Sequence, residues 1–253
     1  WFADNRDRLD TKLVEPTRKA ALFYTCYLNY WGQPAAVACA EVFSHNGIEV
    51  VVPAQQCCGM PFLDIGAAKG VQRKIDANLP QLLKAIDEGY DIVVPGPSCA
   101  MMLKRDWPMI HQSAETERIA EHTYEVSEYL WLHKLAGSLN TDFQHSLGKV
   151  AYHAPCHLRM LFVGNKGADL IGLIPGTEVT AVERCSHHDG TWGIKTDSHD
   201  ISMKYGKRLF DDLADAEADL FVSDCPLAST QIGQGTGRQP IHTMQVLKQA
   251  YGI

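Results

Sequence analysis

Seven of the eight cysteines in this chain fall into two sets that repeat each other. Cys26, the pair Cys57–Cys58, and Cys99 form the first set; Cys156, Cys185 and Cys225 form the second. The second set follows Cys26, Cys57 and Cys99 by 130, 128 and 126 residues. An offset that drifts so little over three positions indicates a duplicated unit. Each cysteine stands at the end of a short apolar run, so each unit must bring distant thiols together where strands end. Thiolates gathered in this way hold a metal or an iron–sulfur cluster.

The apolar runs alternate with helical patterns, twice over. In the first half, ALFYTC (21–26), EVVVP (49–53) and DIVVPGPS (91–98) are short enough to be buried strands. Between them lie PAAVACAEVFSHNG, opened by Pro34 and closed by Gly47, and VQRKIDANLPQLLKAIDEGY, which Pro80 should kink or interrupt. TERIAEHTYEVSEYLWLHKLAG reads as one long helix. In the second half, KVAYHAP (149–155), EVTAVER (178–184) and LFVSD (220–224) are the strands. ADLIGLIPG, ISMKYGKRLFDDLADAEAD and PIHTMQVLKQAYGI are the helices.

The expected fold is α/β: two tandem, similar βαβ units with parallel sheets, related by internal duplication. Residues 1–19 read as an N-terminal linker or helix, 20–140 as the first unit and 148–253 as the second. The polar, aperiodic stretch 138–148 lies between them. In both units the cysteines fall at the carboxyl ends of strands, where open α/β sheets place their ligands.

Composition narrows the function. At 45% hydrophobic and 21% charged residues the chain is an ordinary globular protein. Its net charge of −7 favours neither a nucleic acid nor an anionic membrane as partner. No run of 18 apolar residues is present, so no direct membrane insertion is expected. The opening residue Trp1 suggests a processed or excised piece, and no signal-peptide pattern follows it. An adjacent pair such as Cys57–Cys58 serves two disulfides poorly, which favours a metal site in a reducing, cytoplasmic setting. GQGTGR (233–238) lacks the Lys-Ser/Thr ending of a phosphate loop and reads as a plain loop.

Cys26, Cys57, Cys58 and Cys99 offer four thiolates, which suit a [4Fe–4S] cluster or a structural zinc. Zinc sites draw on CxxC pairs and none is present, which favours iron–sulfur. Gly59 and Pro61, and Gly96 and Pro97, provide turns that free backbone N–H groups toward sulfur. Cys156, Cys185 and Cys225 offer only three thiolates. His188 is the first candidate for a further ligand, because Gly190 and Gly193 let its loop fold back. His187, His157 and Asp189 are the other neighbours. Arg159 could offset a cluster's charge or bind an anion, and His153 could stand behind the ligands. Cys39, mid-helix on an apolar face, reads as core packing.

QQCCGMP, GPSCAMM, APCHLRM, CSHHDGTWG and SDCPLAS resemble the CCG, or cysteine-rich, iron–sulfur family over residues 20 to 250. That family includes the B subunit of heterodisulfide reductase and the C subunit of anaerobic glycerol-3-phosphate dehydrogenase, and the phrases are most similar to the latter type. The resemblance implies [4Fe–4S] clusters, in some members noncubane with a bridging cysteine. It also implies electron exchange with a flavoprotein, a quinone or a thiol substrate. The chain departs from the family pattern at Ser98–Cys99, at Cys185–Ser186 and at Cys225 with Ser229, each of which removes a cysteine. Nor does it carry the CxxCxxC runs of an N-terminal ferredoxin-like region.

Three functions remain open on the sequence. The first is an electron-transfer subunit or domain of an oxidoreductase, with one [4Fe–4S] cluster at the first site and a second, three-cysteine cluster at the other. Its redox partner would be a flavoprotein or a ferredoxin-like domain. The second is a reductase of a disulfide, persulfide or peroxide at an open iron of the second site. The third is a zinc-stabilised structural protein.

Overall fold

The computed structural model describes residues 2–4 and 9–253. The chain divides into two compact units, Trp1–Asn140 and Thr141–Ile253.

The first unit is built on four strands: β1 (Arg18–Leu22), β2 (Ile48–Val51), β3 (Asp91–Val94) and β4 (Thr123–Glu125). All pair in parallel, in the order β2-β1-β3-β4. Ala20, Ala21 and Leu22 of the inner strand β1 are fully buried, as a strand covered on both faces requires. The crossovers are α1 (Cys26–Tyr30) and α2 (Gln33–His45), then α3 (Met60–Leu63) and α4 (Ala68–Asp87). After β3 come α5 (Pro97–Met101), a π-helical turn (Met102–Asp106), α6 (Trp107–Ile110) and α7 (Ala114–Glu121); α8 (Val126–Leu135) follows β4. Cys39 is buried on α2.

The second unit repeats this plan in shorter form. Its strands β5 (Lys149–His153), β6 (Glu178–Val182) and β7 (Leu220–Ser223) pair in parallel in the order β6-β5-β7, matching β2-β1-β3. Its helices are α9 (Cys156–Met160), α10 (Lys166–Ile171), α11 (Thr196–Asp215), α12 (Pro226–Thr236) and α13 (Thr243–Tyr251). Where β4 flanks β3, a single parallel bridge joins Ile241 to Val222 of β7. The helices that follow start alike: Glu125 and His242 each cap a helix in a reciprocal capping box, with Glu128 and Gln245 as the returning partners. The duplication therefore extends beyond the cysteines to the last helix of each unit.

Five expectations need correction. The first strand begins at Arg18 and ends at Leu22, so Cys26 opens a helix rather than closing a strand. The segment 1–19 forms a short 3₁₀ helix at residues 2–4, but its last two residues, Arg18 and Lys19, already belong to β1. Thr11 pairs antiparallel with Val50 and Phe2 packs on Tyr24; residues 1 and 5–8 lie outside the described residues. The stretch 116–137 is two helices separated by β4, because Thr123 and Glu125 are drawn into the sheet and Glu125 caps the next helix. Helix α4 runs through Pro80 without interruption; Pro80 and Asp76, whose carbonyl loses its partner there, both lie on the exposed side. Finally, residues 233–236 are the last turn of α12, not a loop.

Candidate thiol centres

In the first unit, every cysteine of the set lies just past a strand's carboxyl end. Cys26 is the first residue of α1. Thr25, in the left-handed region at φ 56°, turns the chain there and accepts the Leu28 N–H on its hydroxyl at 3.3 Å. Cys57 and Cys58 precede Gly59, whose φ of 99° starts α3 and suits glycine. Cys99 lies in the first turn of α5.

Two fully buried side chains hold the Cys57–Cys58 loop in place. Asn78 of α4 accepts the Gln56 N–H at 2.7 Å and donates to the Cys57 carbonyl at 3.4 Å. The indole N–H of Trp107 donates to the Cys58 carbonyl at 2.9 Å. The sulfurs then meet in a chain: Cys26 lies 4.0 Å from Cys57, and Cys58 lies 3.2 Å from Cys99. All eight cysteines are free thiols.

The electrostatics of the set centre on Cys57. Hydrogen bonds from the Cys26 and Cys58 thiols, then the Gly59 N–H and the nearby Lys74 charge, outweigh burial and bring its pKa down to about 3. Cys26 and Cys58 are pushed up, first by their bonds to that sulfur and then by burial. One thiolate is thus shared among its neighbours, while Cys26 and Cys58 hold their protons more tightly until a bound metal displaces them.

The second set has the same placement. Cys156 opens α9, Cys185 follows β6, and Cys225 caps α12 after β7. Cys185 accepts the His187 N–H at 3.3 Å. Its pKa falls to about 5, led by the bond to Cys156 and opposed by burial. Cys156 is raised, first by that same bond and then by burial.

The loop after Cys185 is unusual backbone. His187, Asp189 and Gly190 all have positive φ, at 61°, 44° and 56°. Non-glycine residues adopt this region only where surrounding contacts enforce it. Here Ser202 donates to the His187 carbonyl at 2.7 Å, and the Gly193 N–H donates to the His188 carbonyl at 2.7 Å. A Cβ on Gly193 would stand 2.7 Å from the His188 Cα, so that contact requires glycine.

The result places the buried His188 ring with Nε2 3.5 Å from the Cys225 sulfur and Nδ1 3.2 Å from the Gly190 carbonyl. Burial opposes the charge on both partners. Their mutual attraction prevails: His188 is raised and Cys225 is lowered, helped by the Ala228 and Leu227 N–H groups. His188 therefore stands in contact with Cys225, at the edge of the second thiol set.

The remaining candidates are placed differently. His153 bridges Ser223 at 2.9 Å and the Arg184 carbonyl at 3.1 Å; burial holds it neutral, with a pKa near 4. It ties the ends of β6 and β7 together. His157 is half-buried on α9 and is lowered by burial, while Arg159, His187 and Asp189 are exposed. Asp224, beside Cys225, is fully buried and accepts from Tyr152 at 2.8 Å and the Thr243 N–H at 3.0 Å. Asn78, Trp107 and Asp224 are the supporting residues that the sequence did not reveal. None lies in a cysteine motif except Asp224, which precedes Cys225 without distinction from a surface aspartate.

Among the described residues, no three His, Cys, Asp or Glu side chains close around a single metal ion. A polynuclear group asks for something different, namely one thiolate at each of several separated metal atoms. Four thiols in one unit, and three thiols with an imidazole in the other, supply that donor set.

Parallel α/β units with a thiol centre at the carboxyl edge of each sheet define a class of cysteine-rich proteins. The pattern of the cysteine-rich domain, CCG, matches residues 20–104 and 150–233, once in each unit, and the chain belongs to that family. The C subunit of anaerobic glycerol-3-phosphate dehydrogenase from Escherichia coli is 25% identical over 235 residues, which is 92% of this chain and 59% of that protein. This chain thus spans about three-fifths of the length of that relative. Two proteins named lactate utilization protein A are also similar. That of Geobacillus kaustophilus is 28% identical over 222 residues, covering 82% of this chain and 87% of the relative. That of Geobacillus thermodenitrificans is 29% identical over 244 residues, covering 90% and 96%.

Proposed function

We propose that each unit holds an iron–sulfur cluster and that the chain is an electron-transfer component of an oxidoreductase. The observation that carries this reading is the repeated convergence of thiols at equivalent places on two like sheets. Cys26, Cys57, Cys58 and Cys99 would be the ligands of the first cluster, a [4Fe–4S] centre. Cys156, Cys185 and Cys225, with His188, would be those of the second. Such a cluster accepts and releases single electrons.

The chain's own residues account for the rest of the reading. The Gly59 and His187 N–H groups, donating to Cys57 and Cys185 at 3.5 and 3.3 Å, stabilise negative charge on sulfur. Asn78 and Trp107 fix the adjacent-cysteine loop, so the thiolates are positioned before anything binds. A redox partner protein, a flavoprotein or a ferredoxin-like domain, would deliver or remove electrons, in keeping with relatives named as part of a dehydrogenase and as a lactate utilization protein. Free thiols throughout suit a reducing compartment such as the cytoplasm. No helix among the described residues is long and apolar enough to cross a membrane.

The donor set of the second site supports a second reading. With one thiolate fewer, it could keep a metal position open to a disulfide, persulfide or peroxide, and the chain would then be a reductase in its own right.

Anaerobically purified protein should be brown. It should contain about four irons for the first site and three or four for the second, with matching acid-labile sulfide. Colourless protein with stoichiometric zinc would end both readings and leave a zinc-stabilised structural protein.

A further inference from the structure

The two thiol sets differ in one pairing that the duplication makes plain. In the first unit the Cys58 thiol donates toward the Cys99 sulfur, 3.2 Å away. A disulfide holds its sulfurs about 2.05 Å apart, so this pair closes with a movement of about 1 Å. Cys26 and Cys57 stand farther apart, at 4.0 Å. In the repeat, the counterparts of Cys58 and Cys99 are Ser186 and Cys225. A serine cannot bridge, and the Cys225 sulfur faces the His188 ring instead, 3.5 Å from Nε2. The first unit can therefore be oxidised at a place where the second cannot.

The surroundings of the pair suit a bridge. Cys58 is only 1% exposed, and the Trp107 indole holds its carbonyl at 2.9 Å. Cys99 lies in the first turn of α5 and is partly exposed. A small oxidant thus meets Cys99, while Cys58 is shielded from it and keeps its sulfur for its neighbour.

We propose that Cys58 and Cys99 form a reversible disulfide when a small hydroperoxide reaches the chain before a metal does. The Cys99 sulfur attacks one peroxide oxygen. An S–O bond forms, the O–O bond breaks, and the other oxygen leaves as hydroxide or alkoxide and takes the thiol proton. The Cys58 sulfur then displaces the hydroxyl from Cys99. The S–S bond forms, the S–O bond breaks, and water carries off the Cys58 proton. The two thiols lose one pair of electrons in all, and the peroxide gains it. If the first set holds a cluster, as proposed above, the bridge withdraws two of its ligands and closes that site to loading until a dithiol reopens it. This consequence rests on the cluster reading; the bridge itself does not.

The test uses the full chain, reduced and freed of metal with a chelator. Equimolar hydrogen peroxide is added without oxygen, the remaining thiols are alkylated under denaturing conditions, and a chymotryptic digest is mapped by mass spectrometry. The chief cross-link should join Cys58 to Cys99, at least fivefold more abundant than any other within the first set, and dithiothreitol should remove it. Cys57→Ser should keep the cross-link and Cys58→Ser should abolish it. Fragmentation between Cys57 and Cys58 reads the pairing on the unmodified chain even if a variant does not fold. Given ferrous iron and sulfide, the bridged chain should take up about half the iron of the reduced chain, since only one of two cluster sites is closed. A chief cross-link through Cys26 or Cys57, or alkylation of both Cys58 and Cys99 after peroxide, would overturn the proposal. A reduced chain that takes up no iron would instead end the cluster reading, and the peptide map alone would still decide the bridge.

Discussion

His133 is fully buried on α8, with Nε2 3.1 Å from the Asn46 carbonyl and Nδ1 3.2 Å from the Ser138 hydroxyl. Burial, aided by the Arg18 charge and opposed by the bond to Asn46, lowers its pKa below the ordinary value of about 6.5. The native state therefore excludes a proton that the unfolded chain accepts. Its contribution is complete above the unfolded pKa and is lost as the pH falls through about 6.5 toward the native value. The urea midpoint of the first unit should drop between about pH 7.5 and 5.5, and His133→Gln should flatten that dependence. A midpoint equally pH-dependent in the variant would assign the effect to other groups. At this scale the sequence is legible only where chemistry is scarce. Cysteines stand out by number and spacing, and His188 by the glycines around it. Asn78 and Trp107 do not stand out, because an asparagine within a helix and a tryptophan in an apolar stretch have many ordinary uses. Only the fold shows that both hold the Cys57–Cys58 loop.

Helix α12 shows how an element can hide in its own composition. Its glycines suggest a loop, since glycine costs roughly 1 kcal/mol relative to alanine in a helix interior. Here they are required by packing. A Cβ on Gly235 would meet the Phe210 ring of α11 at 2.2 Å, and one on Gly233 would meet the Gln239 side chain at 2.3 Å. Helices α11 and α12 approach through Gly235, and the close approach offsets the propensity lost. Gly235→Ala, which would stabilise an exposed helix, should instead destabilise the second unit by about 1–3 kcal/mol through overpacking. Chemical denaturation followed in that unit would measure it, and an unchanged or raised midpoint would show that Phe210 yields. Strands β2, β3 and β5 to β7 were legible for the opposite reason: short, mostly apolar runs between turn signals have few other uses, whereas β1 begins at the cations Arg18 and Lys19 and so starts ahead of its apolar run. β4 was not, because Thr-Tyr-Glu lies within a continuous helical pattern, and its place in the sheet is set by partners on β3.

For the molecule as a whole, the drift in cysteine spacing foretold a repeated α/β plan, but not the strand order, which depends on crossovers that leave no mark on spacing. The two units share topology while differing in donor set, four thiols against three and a histidine. If they hold clusters as proposed, replacing a thiolate by a neutral imidazole makes the second centre less negative and raises its potential. Redox titration followed by electron paramagnetic resonance should resolve two centres, with the second reduced first. His188→Ala should move only that one, with circular dichroism confirming an intact fold. Coincident titration, unaffected by the substitution, would remove His188 from the ligand set. Each unit also carries an indole within its own centre's surroundings. Trp107 is fully enclosed and bonded to the Cys58 carbonyl, while Trp192, in the loop after Cys185, is 38% exposed. An enclosed indole emits toward the blue and a wet one toward the red. The chain has five tryptophans; with the other three replaced by phenylalanine, these two would be differently coloured lamps, one beside each set of thiols, and light would tell which of the two has been disturbed.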